Sequence, residues 1–255
     1  MRAMQIPPLD PNVAARKGFR ESEERIKRFW STVSVEEGEG GWRILLDGRS
    51  PRTPAGAPLT LPTKASARLV ADEWEAQGEH LDPGSMPATR LAATAIDRIP
   101  LARAETAEEI ARYAGSDALC YFADGPMSLI ARQQAVWGPW LDWAEREHGV
   151  RLFRAQGIAH VAQPAESTLR VRDLSLGLDD FALTGLATAV GLYGSAILAL
   201  AVQQGALDGE EAFDLSRLDE AFQEEQWGVD AEAAERTASR RAEAALLGRW
   251  FRALL

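Results

Sequence analysis

Residues 181–202 pass through 22 positions, FALTGLATAVGLYGSAILALAV, without one charged side chain. A run of that kind has two stable surroundings, a lipid bilayer or the centre of a folded helical domain. Its make-up argues against the bilayer. Thr184, Gly185, Thr188, Gly191, Gly194 and Ser195 interrupt it, Asp179 and Asp180 precede it, and no cationic flank anchors either end. One buried helix over about Asp180–Gln204 is therefore expected, and everything else must pack around it. Ala187, Gly191, Ser195 and Ala199 recur at four-residue steps and form a smooth ridge for a close helix neighbour. With 46% apolar residues in 255, the chain has enough material for one large core or two smaller ones.

The pattern changes along the chain. Residues 1–18 read as an arm and Arg20–Trp30 as a short charged helix. Thr32–Glu36, Trp42–Leu46 and a run near Leu59–Leu61 are β-prone and separated by GEGG, Asp47-Gly48 and Pro/Gly-rich turns. From Thr63 onward helices dominate, with Thr63 as the first cap and Val70 and Trp74 on a core-facing stripe. Further helices are expected over Ala88–Ile99, stopped by Pro100, over Glu105–Ala114, and over Met127–His148 with a kink or split at Gly138-Pro139. One more runs from Asp208 to about Gly228. The last is capped by Asp230, with Ala238, Ala242, Leu246, Trp250 and Leu254 at four-residue steps. The expected class is α+β: an arm and short helix over 1–30, a small antiparallel β-containing domain over 31–80, and a larger, mainly α-helical domain over 81–255.

Charge is unevenly placed. Between Asp208 and Arg236, eleven carboxylates face two arginines, a charge of −9 within a chain that totals −10. Such a block repels nucleic acid and acidic lipid and attracts a basic protein surface, unless it is merely a solvated helix face. Within it lies FQEEQWGVDAEAAER, where Phe222 and Trp227 interrupt the acids.

Signals for catalysis are sparse. The three histidines, His80, His148 and His160, make no i+3 or i+4 pair, and neither a phosphate loop nor a nucleophile-elbow motif occurs. Cys120, the single cysteine, sits between Leu119 and Tyr121-Phe122 and reads as an inert buried thiol. Glu220 and Glu224, one helical turn apart, keep open a carboxylate-dependent enzyme using Asp219–Asp230. That reading requires a pocket and a raised pKa. No cofactor and no metal are expected.

The blocks DGR-x-x-RTP (Asp47–Pro54), L-x-x-P-T (Leu59–Thr63), VADEWEAQ (Val70–Gln77), DPGSMPATRLAATAID (Asp82–Asp97), SDALCYFA (Ser116–Ala123), QQAVWGPWLDWAE (Gln133–Glu145) and EEQWGVDAEAAER (Glu224–Arg236) follow one another in order. In their number and order they resemble the F1-ATP synthase assembly chaperone family that handles the α subunit. Ser116, where that family commonly has threonine, and Phe122, where it commonly has arginine, depart from the pattern.

The resemblance implies a non-enzymatic protein with a β-rich N-terminal and a helical C-terminal domain. It would bind the unassembled α subunit and release it to β, with no nucleic acid, no membrane insertion and a monomeric state. The N-terminus MRAMQIPPLDPN lacks a signal-peptide core and an amphipathic transit helix, so a bacterial cytoplasmic member is expected, or the mitochondrial matrix for a mature eukaryotic form. The contact surface is expected at Glu224, Glu225, Trp227, Asp230 and Glu232, around the Gly228 break. For Trp227 a helix-end anchor in the core stands beside a contact role. The competing class is an acidic adaptor for another basic partner.

Overall fold

The computed structural model describes residues 26–255, so the expected arm and most of the short N-terminal helix lie outside the described residues. Ile26–Trp30, the described part of that helix, is not helical; Lys27 forms an isolated antiparallel bridge with His80. The β unit is a three-stranded antiparallel sheet of β1 (Val33–Gly38), β2 (Gly41–Leu46) and β3 (Thr60–Leu61), in that order. Its register places Val35 opposite Ile44 and Trp42 opposite Leu61. Ile44, Leu46, Leu59 and Leu61 are buried, and helix α1 (Lys64–Glu75) covers them with Ala67, Val70 and Ala71. A sheet this small needs that cover to be stable.

The Asp47-Gly48 turn does more than reverse the chain. Asp47 adopts φ 47°, a left-handed value that aspartate tolerates better than most residues. Its carboxylate accepts N–H bonds from Ser31 (3.0 Å) and Thr32 (2.8 Å) and the Thr32 hydroxyl at 2.8 Å. Those bonds hold its pKa below the ordinary aspartate value and tie Trp30 to the sheet. Trp30 and Trp74 then meet edge to face at 5.2 Å between ring centroids.

Helix α1 begins where expected. Thr63 accepts the Ser66 N–H at 3.0 Å in a capping box, and its hydroxyl donates to the Ala253 carbonyl at the far end of the chain. From α1 and the turn just after it, two polar side chains reach inward. Glu73 accepts the N–H groups of Ala88 (2.7 Å) and Thr89 (2.8 Å), and so caps helix α2 (Pro87–Asp97), whose own N-cap Met86 offers no side-chain bond. Burial raises the Glu73 pKa, and these donors oppose the rise. Gln77 accepts from Asp82 N–H at 2.7 Å and donates to Ser85 Oγ at 3.0 Å.

The helical part continues with α3 (Ile99–Ala114), α4 (Met127–His148), α5 (Ala165–Leu176), α6 (Asp180–Tyr193), α7 (Ala196–Gln203), α8 (Gly209–Ser216), α9 (Leu218–Trp227) and α10 (Ala231–Leu254). Pro100 does not stop a helix; it sits in the first turn of α3, where no N–H is needed. Pro139 lies inside an unbroken α4. It and Ala135, whose carbonyl loses its helical donor, are both exposed, so solvent reaches the gap. The apolar segment 116–122 holds a short 3-10 turn followed by β4 (Tyr121–Phe122). That strand pairs in parallel with β5 (Ala155–Gln156).

The apolar run is split, contrary to the single helix expected. Gly194 ends α6 at φ 64°, and Ser195 caps α7 by accepting the Leu198 N–H at 3.1 Å. Ser195 is thus a cap, not part of a continuous ridge. Asp117, fully buried, accepts from Leu119 N–H and Ile197 N–H, each at 3.1 Å. Ala118 N–H donates to the Gly194 carbonyl at 3.1 Å, which closes the elbow. Burial pushes the Asp117 carboxyl up to about 6.

The expected helix from Asp208 to Gly228 is likewise two, α8 and α9, hinged at Arg217. Helix α10 packs against α1, α6 and α8, with its apolar burial confined to the second half: Leu246 and Trp250 are buried while Ala238 and Ala242 are exposed. Its closest approach is at Gly209, where an added Cβ would lie 2.1 Å from the Ala244 carbonyl oxygen.

Two outcomes are expected. Gly209→Ala should cost about 1–3 kcal/mol in urea unfolding, because backbone rather than a flexible side chain occupies the space. For Asp117, a folded pKa near 6 above the usual 3.8 means the folded state takes up a proton between those values. Its contribution therefore grows as pH falls through 6 and is lost as pH rises. The stability difference between wild type and Asp117→Asn should shrink between pH 4.5 and 7.5; a constant difference would refute the linkage.

Candidate functional site

Helix α9 carries the centre of the acidic block and is lightly attached. Leu218 is its only fully buried residue, Phe222 packs half-buried against the core, and polar contacts to α4 add to these. Just before α9, Trp137 Nε1 of α4 donates to the Leu215 carbonyl of α8 at 2.9 Å. Gln133, wholly buried, donates to Asp219 at 2.7 Å and accepts from Ala123 N–H at 2.9 Å. Arg132 Nη1 reaches both carboxylate oxygens of Glu225 at 2.8 and 2.9 Å. A groove of about 300 Å³ runs between the two helices, floored by Val136, Leu215 and Leu218.

The five residues expected at the contact surface fall around one elbow, but they are engaged differently. Glu224 is turned partly inward and pairs with Arg217 at 2.6 Å. Glu225, half exposed, is held by Arg132. Asp230 caps α10, accepting from Glu232 N–H at 3.1 Å and Ala233 N–H at 3.2 Å. Glu232 pairs with Arg236 along its own helix at 2.5 Å. Trp227 makes no such contact: it ends α9 before Gly228 turns the chain at φ 84°, and it is 81% exposed. Beside it Val229 is 55% exposed. A tryptophan so placed buries no core.

The charge of the block is also less free than its residue count suggests. Arg241 binds Glu210 (3.2 Å) and Asp214 (2.9 Å), and Arg252 binds Asp208 at 3.3 Å. Three of the arginines that compensate it, Arg132, Arg241 and Arg252, come from outside residues 208–236. Exposed pairs of this kind contribute about 0–1 kcal/mol each, so they are easily exchanged for a partner's cations.

For catalysis the arrangement offers little. Asp219 has a pKa raised by burial, yet the group it meets is the Gln133 amide, which is neither nucleophile nor base. Burial likewise raises the Cys120 thiol pKa. No cluster of three or more His, Cys, Asp or Glu able to hold a metal occurs among the described residues. Among those residues, no helix is long and apolar enough to cross a membrane.

Other residues singled out by pattern have structural places. Trp74 packs on Trp30 as expected of the core stripe, and Arg52 turns back to the Gly56 carbonyl at 2.7 Å. Phe122, the departure from the family pattern, is buried edge to face against Trp137 at 5.9 Å. The pattern missed Arg132 and Gln133, which fix α9. Their position in the QQAVWGPW block and just before it was visible, but not which helix they face.

Three comparisons bear on identity. The family model described as ATP12 chaperone protein matches residues 27–145. The chain is 26% identical over 223 residues to Protein atp12, mitochondrial, of Schizosaccharomyces pombe, covering 82% of this chain and 76% of that one. The crystal structure of Atp12 from Paracoccus denitrificans aligns with TM-score 0.85 at 41% identity, over 90% of this chain and 99% of that one. A structure from Agrobacterium tumefaciens aligns with TM-score 0.84 at 43% identity, over 90% and 86%. The sheet-then-helices fold is thus held in common along most of the chain, and the protein belongs to the ATP12 chaperone family.

Proposed function

We propose that this protein is an assembly chaperone that binds the unassembled α subunit of F1-ATP synthase, shields its subunit-facing surface and releases it to the β subunit. Family membership supports an ATP synthase subunit as the client. The observation that carries the contact site is Trp227, an exposed aromatic at an elbow, ringed by carboxylates on exchangeable internal ion pairs. An unassembled subunit exposes an apolar, charged face that associates nonspecifically, and a large exposed patch of that kind needs cover. A chaperone must cover the face and then leave it. An aromatic anchor surrounded by weak, screened charges meets both demands.

In this reading Trp227 and Val229 enter an apolar depression on the client. Glu225 and Glu232 trade Arg132 and Arg236 for client cations, while Glu224 and Asp230 mainly hold the elbow in shape. The chemistry is binding, without catalysis, cofactor or metal. The protein works as a monomer wherever F1 is assembled, in the bacterial cytoplasm or the mitochondrial matrix.

Size exclusion of the protein with isolated α subunit, before and after adding β, tests the reading. Co-elution with α that is lost on adding β is expected; aggregation of α with no co-elution would refute it. Trp227→Ala should weaken the complex by about 2 kcal/mol, roughly thirtyfold, with no change in melting temperature because the side chain packs on nothing. Wild-type affinity in that variant would move the contact site elsewhere.

A further inference from the structure

Strand β1 forms one border of the three-stranded sheet, and among the described residues no strand lies beyond it. The backbone bonds around it show which groups face that open side. Leu46, opposite Val33, donates its N–H to the Arg49 carbonyl at 2.9 Å and accepts the Arg49 N–H at 3.0 Å. Both Leu46 groups therefore turn away from β1, whereas Asp47 N–H reaches the Thr32 carbonyl at 3.1 Å. Bonded and unbonded pairs alternate along an antiparallel ladder, so Ser34, Glu36 and Gly38 bond to β2 as Thr32 does to Asp47. The N–H and C=O groups of Val33, Val35 and Glu37 point to the open edge, and none meets a partner among the described residues.

The same strand and its turn carry unmet charge. Residues 33–40, VSVEEGEG, hold three carboxylates and no cation. Glu36, Glu37 and Glu39 are all exposed, and among the described residues none of them forms an ion pair. Arg43, opposite Glu36 in the register, lies instead across Gly38, where an added Cβ would come within 2.5 Å of its Nε. Lys64 sits over the Trp42 ring, 5.3 Å from its centroid. In this β1 differs from residues 208–236, where arginines already hold most of the carboxylates. Val33 and Val35, half-buried, make the other face of the strand apolar and pack on the core beneath α1.

We propose that the β1 edge is a second docking surface, taking an extended, basic segment of the client by strand addition. The row of unpaired backbone groups supplies the pairing, and the free carboxylates select for cations. Residues of the segment opposite Val33 and Val35 would be apolar, and those opposite Glu36 and Glu37 lysine or arginine, because opposite charges across a ladder attract and like charges repel. A second copy of this chain is disfavoured as occupant, since two joined β1 edges would crowd two sets of unpaired carboxylates. A helix would leave the edge groups of Val33, Val35 and Glu37 unpaired. The proposal rests on the client-binding reading above. Like the Trp227 surface, it calls for a client that offers apolar side chains beside cations.

Two probes test it: isolated F1 α subunit, and a fluorescein-labelled peptide Thr-Lys-Lys-Val-Thr-Val, with Thr-Glu-Glu-Val-Thr-Val as reversed-charge control. Amide exchange at Val33, Val35 and Glu37 should slow at least tenfold in the basic-peptide complex, while Ser34 and Glu36, already bonded to β2, change less. The double variant Glu36→Lys/Glu37→Lys should bind the basic peptide and α at least tenfold more weakly. It should also gain binding of the acidic control, a swap that misfolding does not produce. Val35→Pro, which removes one edge N–H where proline is tolerated, should weaken both probes about tenfold. An α complex with unchanged exchange at β1 and wild-type affinity in both variants would overturn the edge while leaving the client reading intact. Peptide binding without α binding would support the edge and remove the client reading. Failure of both probes would remove both, and the glutamates would then only guard the edge against pairing. If the free protein proves to be a dimer that Val35→Pro dissociates, the occupant is a second copy of this chain and the proposal fails.

Discussion

The arrangement of the helical part depends on one buried carboxylate. Asp117 lies between the 3-10 turn that follows α3 and the first turn of α7, where it accepts N–H bonds from both. A charge without solvent is tolerable only when donors surround it, and the N-terminus of a helix is a ready set of donors. The same contact makes the elbow at Gly194-Ser195 affordable in an otherwise dry core. With the elbow made, the apolar run folds back on itself, and every residue of Ala196–Val202 is buried. The 116–122 segment is fixed by the same bonds, which sets β4, and β4 aligns β5.

Several of the sequence blocks that carry the resemblance prove to be polar locks of this kind. Glu73 caps α2 from α1, Gln77 closes the loop between them, Asp117 joins the 3-10 turn to α7, and Gln133 joins α4 to α9. Each is an inward-facing polar side chain whose partners lie on another element. Losing one leaves a buried donor or acceptor unsatisfied, which costs more than the bond itself contributes. Motif recognition therefore identified the fold more directly than the working surface. Trp227 differs in kind: it sits in a family block, yet its side chain satisfies nothing within the protein.

The charge pattern shows how local reading misleads. Counted along the chain, residues 208–236 look like one strongly anionic face. In three dimensions arginines from α4 and α10 thread into that face, and most of its carboxylates already have a partner. Net attraction for a basic surface then depends on exchange between pairs rather than on unmet charge. Binding by exchange is weak per contact and salt-sensitive, which would suit the proposed release of a client.

Much of this molecule was legible in the sequence. The strand triplet, the Asp47-Gly48 turn, the Thr63 and Asp230 caps and the burial of most of residues 181–202 follow from periodicity, turn chemistry and hydrophobicity, which are local and act over a few neighbours; Gly191 of the expected ridge is nevertheless exposed. The breaks inside apparently continuous helices were harder. Gly194-Ser195 carried a stop-and-cap signature, but uniform hydrophobicity on both sides masked it, and Arg217 between α8 and α9 carried none. Ala238 and Ala242 matched the stripe of Leu246 and Trp250, yet no neighbour covers them, because α10 outruns the helices it packs on. Which side chains remain free, Trp227 among them, and which arginine meets which carboxylate, were decided only by tertiary structure. Those outcomes depend on contacts between residues far apart in the chain, from the 27 positions of Arg241–Asp214 to the 93 of Arg132–Glu225, and no local pattern encodes them.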